Sequence, residues 1–213
     1  MQKAKDVIAY LYDMRVDLPD GVRRLLDRAL PPGLKVRPLN MKRIKEEIQN
    51  VTSIFNDAWS QNWGFVPLTE EETDYLSKSL KPLLHPRLTS LVERNGEPVA
   101  FMIALPNLNE AIKGLNGKIL PFGWTTLIWR LKVAGVKTAR VPLMGVRRSA
   151  AKDMIGSLMP YLMIDMVRRE GLKMGYTHIE LSWILEDNMP MRRMIESLNA
   201  KPYKTYRVFE TAL

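Results

Sequence analysis

The amino-acid sequence predicts an α/β (α+β) protein in which helices flank a mixed central β-sheet. Two observations support this prediction. The stretch from Arg140 to Asn188 has the pattern of strand, turn, helix, strand and helix start, which is typical of a crossover between parallel strands. Further upstream, two apolar runs are joined by Asn95-Gly96, a strong indication of an antiparallel hairpin. Parallel and antiparallel neighbours together predict a mixed sheet.

The crossover has three parts. A strand is predicted at 140–146, a helix from Ser149 to about Lys173, and a second strand from Thr177 to Leu185. The second strand alternates in character, with Ile179, Leu181, Trp183 and Leu185 on one face and His178, Glu180 and Ser182 on the other. In such units, ligands bind near the carboxyl ends of the strands.

The elements around the crossover are predicted from local signals. A strand is expected at Leu34–Leu39, and Asn40 is placed to cap a helix that ends near Trp59. Thr69 and Glu72 match a capping box, which opens a helix to about Leu80. The hairpin strands are Leu88–Glu93 and Val99–Leu105, a helix follows Asn188, and the last strand is Tyr203–Phe209.

The first 33 residues are predicted to be a helical leader. Apolar residues between 6 and 14 form one helical stripe, and Pro19 precedes a second helix, Val22 to Leu30. We interpret 1–33 either as a leader or as the end of a preceding domain, and 34–213 as the main domain.

Composition limits the function classes. The chain has 213 residues, 46% of them hydrophobic, which supports a folded core. It has no cysteine and two histidines, so no metal site is predicted. Neither a signal peptide nor a transmembrane stretch is evident, and we therefore predict a cytoplasmic location.

The charge of the chain is unevenly distributed. The formal net charge is +9, and the stretch from Ala111 to Lys152 has nine lysines and arginines but no acid. Within it, residues 121–131 are apolar and aromatic with basic flanks. One interpretation is a surface for a membrane or a nucleic acid. The other is a buried helix with solvated basic ends.

The order of elements from Leu34 to about Glu210 resembles the GNAT superfamily of acyl-CoA-dependent N-acyltransferases. The segment 180–188, Glu-Leu-Ser-Trp-Ile-Leu-Glu-Asp-Asn, resembles the family's fifth strand and the start of the next helix. Two further segments, 56–59 and 62–67, resemble a bacterial GNAT-like family of unassigned substrate. Members of that family are longer and carry a preceding domain, which fits a truncated appearance of 1–33.

The resemblance implies a GNAT-like sheet, acetyl-CoA or another acyl-CoA as cofactor, and a small-molecule or peptide amine as acceptor. The family's glycine-rich pyrophosphate loop corresponds to 147–156, where Lys152 and Met154 replace glycines and Asp153 adds a negative charge. The loop is therefore degenerate, and basic side chains would have to compensate. The predicted cofactor-binding residues are Val146, Arg147, Arg148, Lys152, Gly156, Ser182 and Asn188.

The resemblance also guides the choice of catalytic residues. The family's usual helix tyrosine falls at Ile195, so Glu180 or Glu186 is the candidate base and Tyr203 or Tyr206 the candidate acid. The predicted acceptor pocket comprises Trp59, Trp63 and Phe65. Structural roles fit the same residues: Glu180 on a solvated strand face, the tyrosines in edge-strand packing, Asn188 as a helix cap.

Two functions remain open at this stage. The first is an N-acyltransferase that uses neither a metal nor a covalent intermediate. The second is a non-catalytic GNAT-fold module that binds a polyanion or a membrane surface. The missing loop glycines favour the second, whereas the segment that ends in Glu186-Asp187-Asn188 favours the first.

Overall fold

The computed structural model describes residues 1–28, 30–118 and 120–211. Its strands are β1 Gln2–Asp13, β2 Leu34–Pro38, β3 Thr89–Arg94, β4 Glu97–Pro106, β5 Thr138–Val146, β6 His178–Leu185 and β7 Lys201–Glu210. Its helices are α1 Asp20–Leu26, α2 Ile44–Trp59, α3 Glu70–Leu80, α4 Leu108–Ala111, α5 Gly123–Trp129, α6 Met154–Lys173 and α7 Met189–Ser197.

The strands form a seven-stranded mixed sheet in the order β2-β3-β4-β5-β6-β1-β7. The predicted fold class is therefore confirmed. The described residues divide into two compact units. The hairpin unit consists of 20–105 and 143–170, and the terminal unit consists of 1–19, 106–142 and 171–211.

The hairpin unit follows the local signals of the sequence. Asn95 and Gly96 both have positive φ, 55° and 85°, as a tight two-residue hairpin requires. Asn40 accepts a hydrogen bond from the Lys42 N–H, and Thr69 and Glu72 form the predicted capping box. One face of α2 packs on the hairpin, in a core of Leu39, Val51, Ile54, Leu91, Phe101 and Ile103.

The helix predicted for residues 6–14 is wrong, because this stretch belongs to β1. β1 pairs antiparallel with both β6 and β7 in the terminal unit. The residues suit a strand, since Val7, Ile8, Tyr10 and Tyr12 are β-branched or aromatic. Their pairing partners lie about 170 or more residues along the chain, so a local period could not reveal them. The helical leader therefore reduces to α1, which is shorter than the predicted Val22–Leu30; within that range, Ala29 lies outside the described residues.

The expectation that Glu180 faces solvent is also wrong. Glu180 and Ser182 are buried, whereas Trp183, predicted on the apolar face, is 55% exposed. β6 lies between β5 and β1 in the sheet, and both of its faces carry buried residues. Strict alternation describes a strand with one solvated face and fails for a strand that is covered on both. In the described part of the chain, no helix is both long and apolar enough to cross a membrane.

One ion pair fixes the outer part of β1. Arg207 on β7 binds both carboxylate oxygens of Asp6, at 2.8 and 3.0 Å. This pair, with a smaller contribution from Lys3, lowers the pKa of Asp6 from 3.8 to about 2. Because the folded-state pKa is depressed, the stabilisation is present above the ordinary value and is lost as the pH falls through about 2.

We therefore expect Asp6→Asn to lower the free energy of unfolding at pH 7, and the difference from wild type to shrink as the pH falls from about 4 to about 2. Urea unfolding across this pH range measures it. Asp27→Asn is the matched control, since the exposed Asp27 forms no ion pair within the described residues. A wild-type advantage that does not depend on pH would contradict this account.

Candidate active site

A buried carboxylate with several donors lies in the terminal unit. Glu180 has an exposed fraction of 0%. Its Oε1 accepts a hydrogen bond from the Ser182 hydroxyl at 2.8 Å and lies 3.2 Å from Arg140 Nε. Its Oε2 accepts a hydrogen bond from the Tyr203 hydroxyl and lies 3.6 Å from Lys204 Nζ. Both oxygens thus have charged or hydroxyl partners, as a buried charge requires. We call these five residues the Glu180 cluster.

Strand register brings Arg140 into the cluster. β5 and β6 run parallel, and Arg140 is the direct partner of Glu180 in the ladder. The two side chains therefore project from the same face of neighbouring strands. Arg140 Nε also donates to the Ser182 hydroxyl at 3.0 Å, so that hydroxyl accepts from the guanidinium and donates to the carboxylate.

Two irregularities in the β1 ladders direct the remaining side chains. Opposite β6, the register moves from Ile8↔Ile184 to Tyr10↔Leu181, so Ser182 and Trp183 together face Ala9. Opposite β7, it moves from Ala9↔Lys204 to Tyr10↔Pro202, which leaves Tyr203 as the extra residue. Bulges redirect side chains and are frequent beside active sites. Here both bulges flank the same small residue, Ala9.

The Glu180 cluster reaches the surface through its tyrosine. Tyr203 is 41% exposed although its hydroxyl binds the buried carboxylate. Beside it, Arg140 stacks on the Trp183 ring at 5.0 Å, and Trp183 meets Tyr206 edge-on at 5.7 Å. A partly exposed tyrosine, an enclosed carboxylate and an exposed aromatic surface therefore occur together.

The other two predicted catalytic residues lie outside the cluster. Tyr206 packs against Trp183. Glu186 binds Lys3 Nζ at 2.6 Å and the Asp6 backbone N–H at 3.1 Å. The hydrogen bond from Lys3, followed by that from Asp6, lowers the pKa of Glu186, which makes it a weaker base. Its contacts are those of a group that fastens β1.

Two predicted cofactor residues of the terminal unit have structural partners. The Asn188 side chain accepts from the Met191 N–H at 3.2 Å and caps α7, as the cap interpretation predicted. Ser182 is enclosed within the Glu180 cluster. The remaining cofactor candidates lie in the hairpin unit, in the segment from Val146, the last residue of β5, to Gly156 near the start of α6.

In this loop, an acidic residue occupies the helix start. Asp153 Oδ1 accepts the Gly156 N–H at 2.7 Å, while its Oδ2 pairs with Arg94 at 2.7 Å. These contacts, that of Gly156 first, lower the pKa of Asp153. Backbone donors earlier in the loop are also used, since Arg147 N–H binds the Val99 carbonyl and Arg148 N–H binds Asp57. A backbone anion site of the kind found at helix N-termini is therefore largely filled from within the protein.

The basic side chains of the loop differ in availability. Arg147 is held by Ser53 Oγ at 3.0 Å and the Pro98 carbonyl at 3.3 Å. Arg148 and Lys152 are exposed, and Lys152 forms no ion pair in the described part of the chain. Gly156 is buried, and a Cβ there would lie 2.0 Å from the Ala150 carbonyl oxygen. The loop turns back on α6 because position 156 has no side chain.

Two of the three predicted acceptor residues share an aromatic cluster in the hairpin unit. Trp59 and Phe65 pack on Phe55, with centroids 5.0 and 5.6 Å away. Trp59 Nε1 donates to the Met144 carbonyl at 2.9 Å. Trp63 is 49% exposed. The first two thus form a partly buried wall.

Arg140 and Lys204 are functional candidates that the sequence reasoning missed. Both were visible as basic residues on predicted strands, at 140–146 and 203–209. Arg140 could have been found from the parallel register of the crossover. Lys204 could not, because its approach to Glu180 depends on the bulge at Tyr203.

The fold matches solved acetyltransferase structures. A GCN5-related N-acetyltransferase from Sphaerobacter thermophilus aligns over 97% of this chain and 51% of its own, with a TM-score of 0.61 and 12% identity. A tandem GNAT protein from the clavulanic acid biosynthesis pathway aligns over 99% of this chain and 56% of its own, with a TM-score of 0.56 and 14% identity. The chain is therefore a GNAT-fold protein, as the resemblance predicted.

Two curated bacterial proteins are similar over nearly the whole chain. A bacterial ceramide synthase from Caulobacter vibrioides is 47% identical over 211 residues, 99% of this chain and 55% of the relative. Protein YghO from Escherichia coli (strain K12) is 42% identical over 210 residues, 98% of this chain and 53% of the relative. The chain spans about half the length of these relatives. No family model matches.

We expect Gly156→Ala to lower the free energy of unfolding by about 1–3 kcal/mol, since the new methyl group overlaps the Ala150 carbonyl. Gly21→Ala in α1 is the matched control: a methyl group at position 21 would meet nothing within 4 Å, and a neutral or slightly stabilising effect is expected. Thermal unfolding of both variants measures this. Equal stability of the two would contradict the described loop packing.

Proposed function

We propose that the chain is the acyl-transfer domain of an N-acyltransferase, which moves an acyl group from acyl-CoA to an amine. The supporting observation is the hydrogen bond from the exposed Tyr203 to the enclosed Glu180 carboxylate. A tyrosine hydroxyl that donates to a carboxylate can pass its proton to that carboxylate while it accepts another, so the two groups together can transfer a proton.

Amide formation from a thioester sets the proton balance. The amine nitrogen attacks the thioester carbonyl, a C–N bond forms, the C–S bond breaks, and the nitrogen loses one proton while the leaving thiolate gains one. In our proposal, the Tyr203 oxygen accepts the proton of the amine as its own hydroxyl proton passes to Glu180, and the pair then returns one proton through Tyr203 to the thiolate sulfur. Glu180 accepts the hydrogen bond of the tyrosine and orients it, and Arg140 and Lys204 balance the carboxylate charge.

The acyl donor would be held mainly by side chains. The fold of the relatives supports an acyl-CoA, whose phosphates call for positive charge. Because Asp153 already occupies the start of α6, Arg148 and Lys152 are the groups left to pair with the phosphates. We therefore expect acyl-CoA affinity to fall steeply with salt.

We propose a long-chain amino alcohol as the acceptor. A ceramide is the amide of a fatty acid and such an amino alcohol, and one close relative is named a bacterial ceramide synthase. The proposal transfers that chemistry to this chain on the strength of 47% identity over nearly its full length. The Trp183–Tyr206 pair beside the Glu180 cluster offers an apolar surface that suits a hydrocarbon chain.

One observation favours the alternative of a non-catalytic binding module. The Asp153–Arg94 pair lies in the loop that the resemblance assigns to the pyrophosphate, and the negative charge of Asp153 would oppose acyl-CoA binding there. On this alternative, the Glu180 cluster only holds strands together. If the chain is an acyltransferase, variants of the cluster should lower the rate of acyl transfer. If it is a binding module, they should change only the free energy of unfolding.

Tyr203→Phe and Glu180→Gln should reduce kcat by about 10²–10⁴-fold, the usual range for loss of a proton-transfer group. Release of free CoA thiol from a fatty acyl-CoA in the presence of a long-chain amino alcohol measures this. Arg148→Ala with Lys152→Ala should instead raise the KM for acyl-CoA by about tenfold or more.

Two variants serve as matched controls. Glu186→Gln removes a carboxylate that follows the other end of β6 and lies outside the cluster, and it should retain kcat. Lys45→Ala with Lys78→Ala removes two exposed charges from the hairpin unit and should leave KM unchanged. If folded Tyr203→Phe keeps the wild-type kcat, Tyr203 does not transfer the proton.

A further inference from the structure

A group of large apolar side chains is exposed in the terminal unit. We call residues 120–134, which contain α5 and the π-helical turn Arg130–Ala134, the α5 segment. α5 itself has no buried residue. Between 47% and 78% of each of the following side chains is exposed: Leu120, Phe122, Trp124, Ile128, Trp129 and Val133. The surfaces of soluble monomeric proteins seldom expose so many large apolar side chains within so short a stretch of sequence.

The α5 segment is a fixed feature of its unit. Arg130 donates to the carbonyls of Ala111 and Lys113 at 2.8 and 2.6 Å, which ties the segment to the end of α4. Trp124 and Ile128, and likewise Trp129 and Val133, are four residues apart and repeat at helical spacing. Leu120 and Phe122 precede α5 and Val133 follows it, so the exposed apolar groups surround the helix and its two ends.

The stretch of sequence that contains the segment carries one sign of charge. Lys113, Lys118, Lys132 and Lys137 are exposed, and there is no acid between residues 111 and 152. Glu110, the acid that directly precedes this stretch, is occupied, since its carboxylate binds the N–H groups of Lys137 and Thr138 at 2.8 Å each. This surface complements a negatively charged partner.

The mixture of side chains distinguishes the partner. Aliphatic groups such as Leu120, Ile128 and Val133 have no ring on which a nucleic-acid base could stack, whereas they dissolve readily in lipid. Tryptophan and lysine together are typical of the boundary between lipid headgroups and acyl chains. We propose that the α5 segment docks the protein on the surface of an anionic phospholipid bilayer, with the apolar side chains in the headgroup region and the lysines on the phosphates.

This proposal is independent of the acyl-transfer chemistry, because it uses none of the residues of the Glu180 cluster or the 147–156 loop. It also corrects one interpretation of the sequence. The buried-helix interpretation of 121–131 does not hold, since α5 buries no residue. The surface interpretation matches the observed exposure.

Vesicle flotation tests the proposal with the 213-residue chain. We expect binding to vesicles of phosphatidylcholine with about 30% phosphatidylglycerol, weaker binding to phosphatidylcholine alone, and a decrease as salt rises from about 0.1 to 0.5 M. Trp124 and Trp129 should report insertion through a blue shift of tryptophan emission and quenching by brominated lipid. Absence of binding to the anionic vesicles would overturn the proposal.

Paired variants distinguish binding through the α5 segment from non-specific adsorption of the protein to vesicles. Phe122→Glu with Ile128→Glu keeps both tryptophans and should reduce binding at least tenfold. Val66→Glu with Tyr75→Glu changes two exposed apolar residues of the hairpin unit and should leave binding unchanged. Lys118→Glu with Lys132→Glu should weaken binding to anionic vesicles, whereas Lys45→Glu with Lys78→Glu should have little effect.

Circular dichroism establishes that each variant is folded before binding is compared. Equal binding by the Phe122→Glu/Ile128→Glu variant and wild type would overturn the proposal. A second result would also overturn it: wild type forms a dimer in sedimentation and does not bind vesicles, and the variant is a monomer. The segment would then bind a second copy of the chain. Binding of nucleic acid but not of vesicles by wild type would likewise contradict it.

Discussion

The enclosed carboxylate of Glu180 imposes the strictest requirement on the terminal unit. A charge removed from water needs partners for both oxygens, and here they come from β5, β6 and β7. Those strands can supply them only if β5 pairs with β6 in one register and β1 carries bulges against both of its neighbours. The position of β1 between β6 and β7 and the two bulges at Ala9 are therefore the features of the sheet that bring these partners to Glu180.

The fold could be predicted wherever a short range of residues determines it. Asn95-Gly96 specifies a hairpin, Thr69 and Glu72 a helix start, and Asn188 the cap of α7, because each acts on its own backbone neighbours. β1 could not be predicted in this way. The apolar residues of β1 also fit the spacing of a helix. Only the pairing with β6 and β7, from the far end of the chain, makes this stretch a strand.

The sequence identified residues of the right chemical type for the candidate site, but it did not show which of them lie together. Glu180 and Tyr203 were selected as chemically suitable, yet so were Glu186 and Tyr206. In the structure the first two are joined by a hydrogen bond, whereas Glu186 binds Lys3 and Tyr206 packs against Trp183. At the loop, Asp153 was recognised as an unfavourable charge; its role as the cap of α6, paired with Arg94, required the three-dimensional structure. A fold of this kind does not by itself determine the chemistry, which depends on the particular side chains.

Our two proposals concern different parts of the terminal unit: proton transfer at the Glu180 cluster and docking on a lipid surface by the α5 segment. The most direct test of the central claim is the identity of the product. Mass spectrometry of a reaction with a fatty acyl-CoA and a long-chain amino alcohol should show an alkali-stable amide and free CoA in equal amounts. An ester on the alcohol oxygen, or CoA release without any amide, would contradict the account.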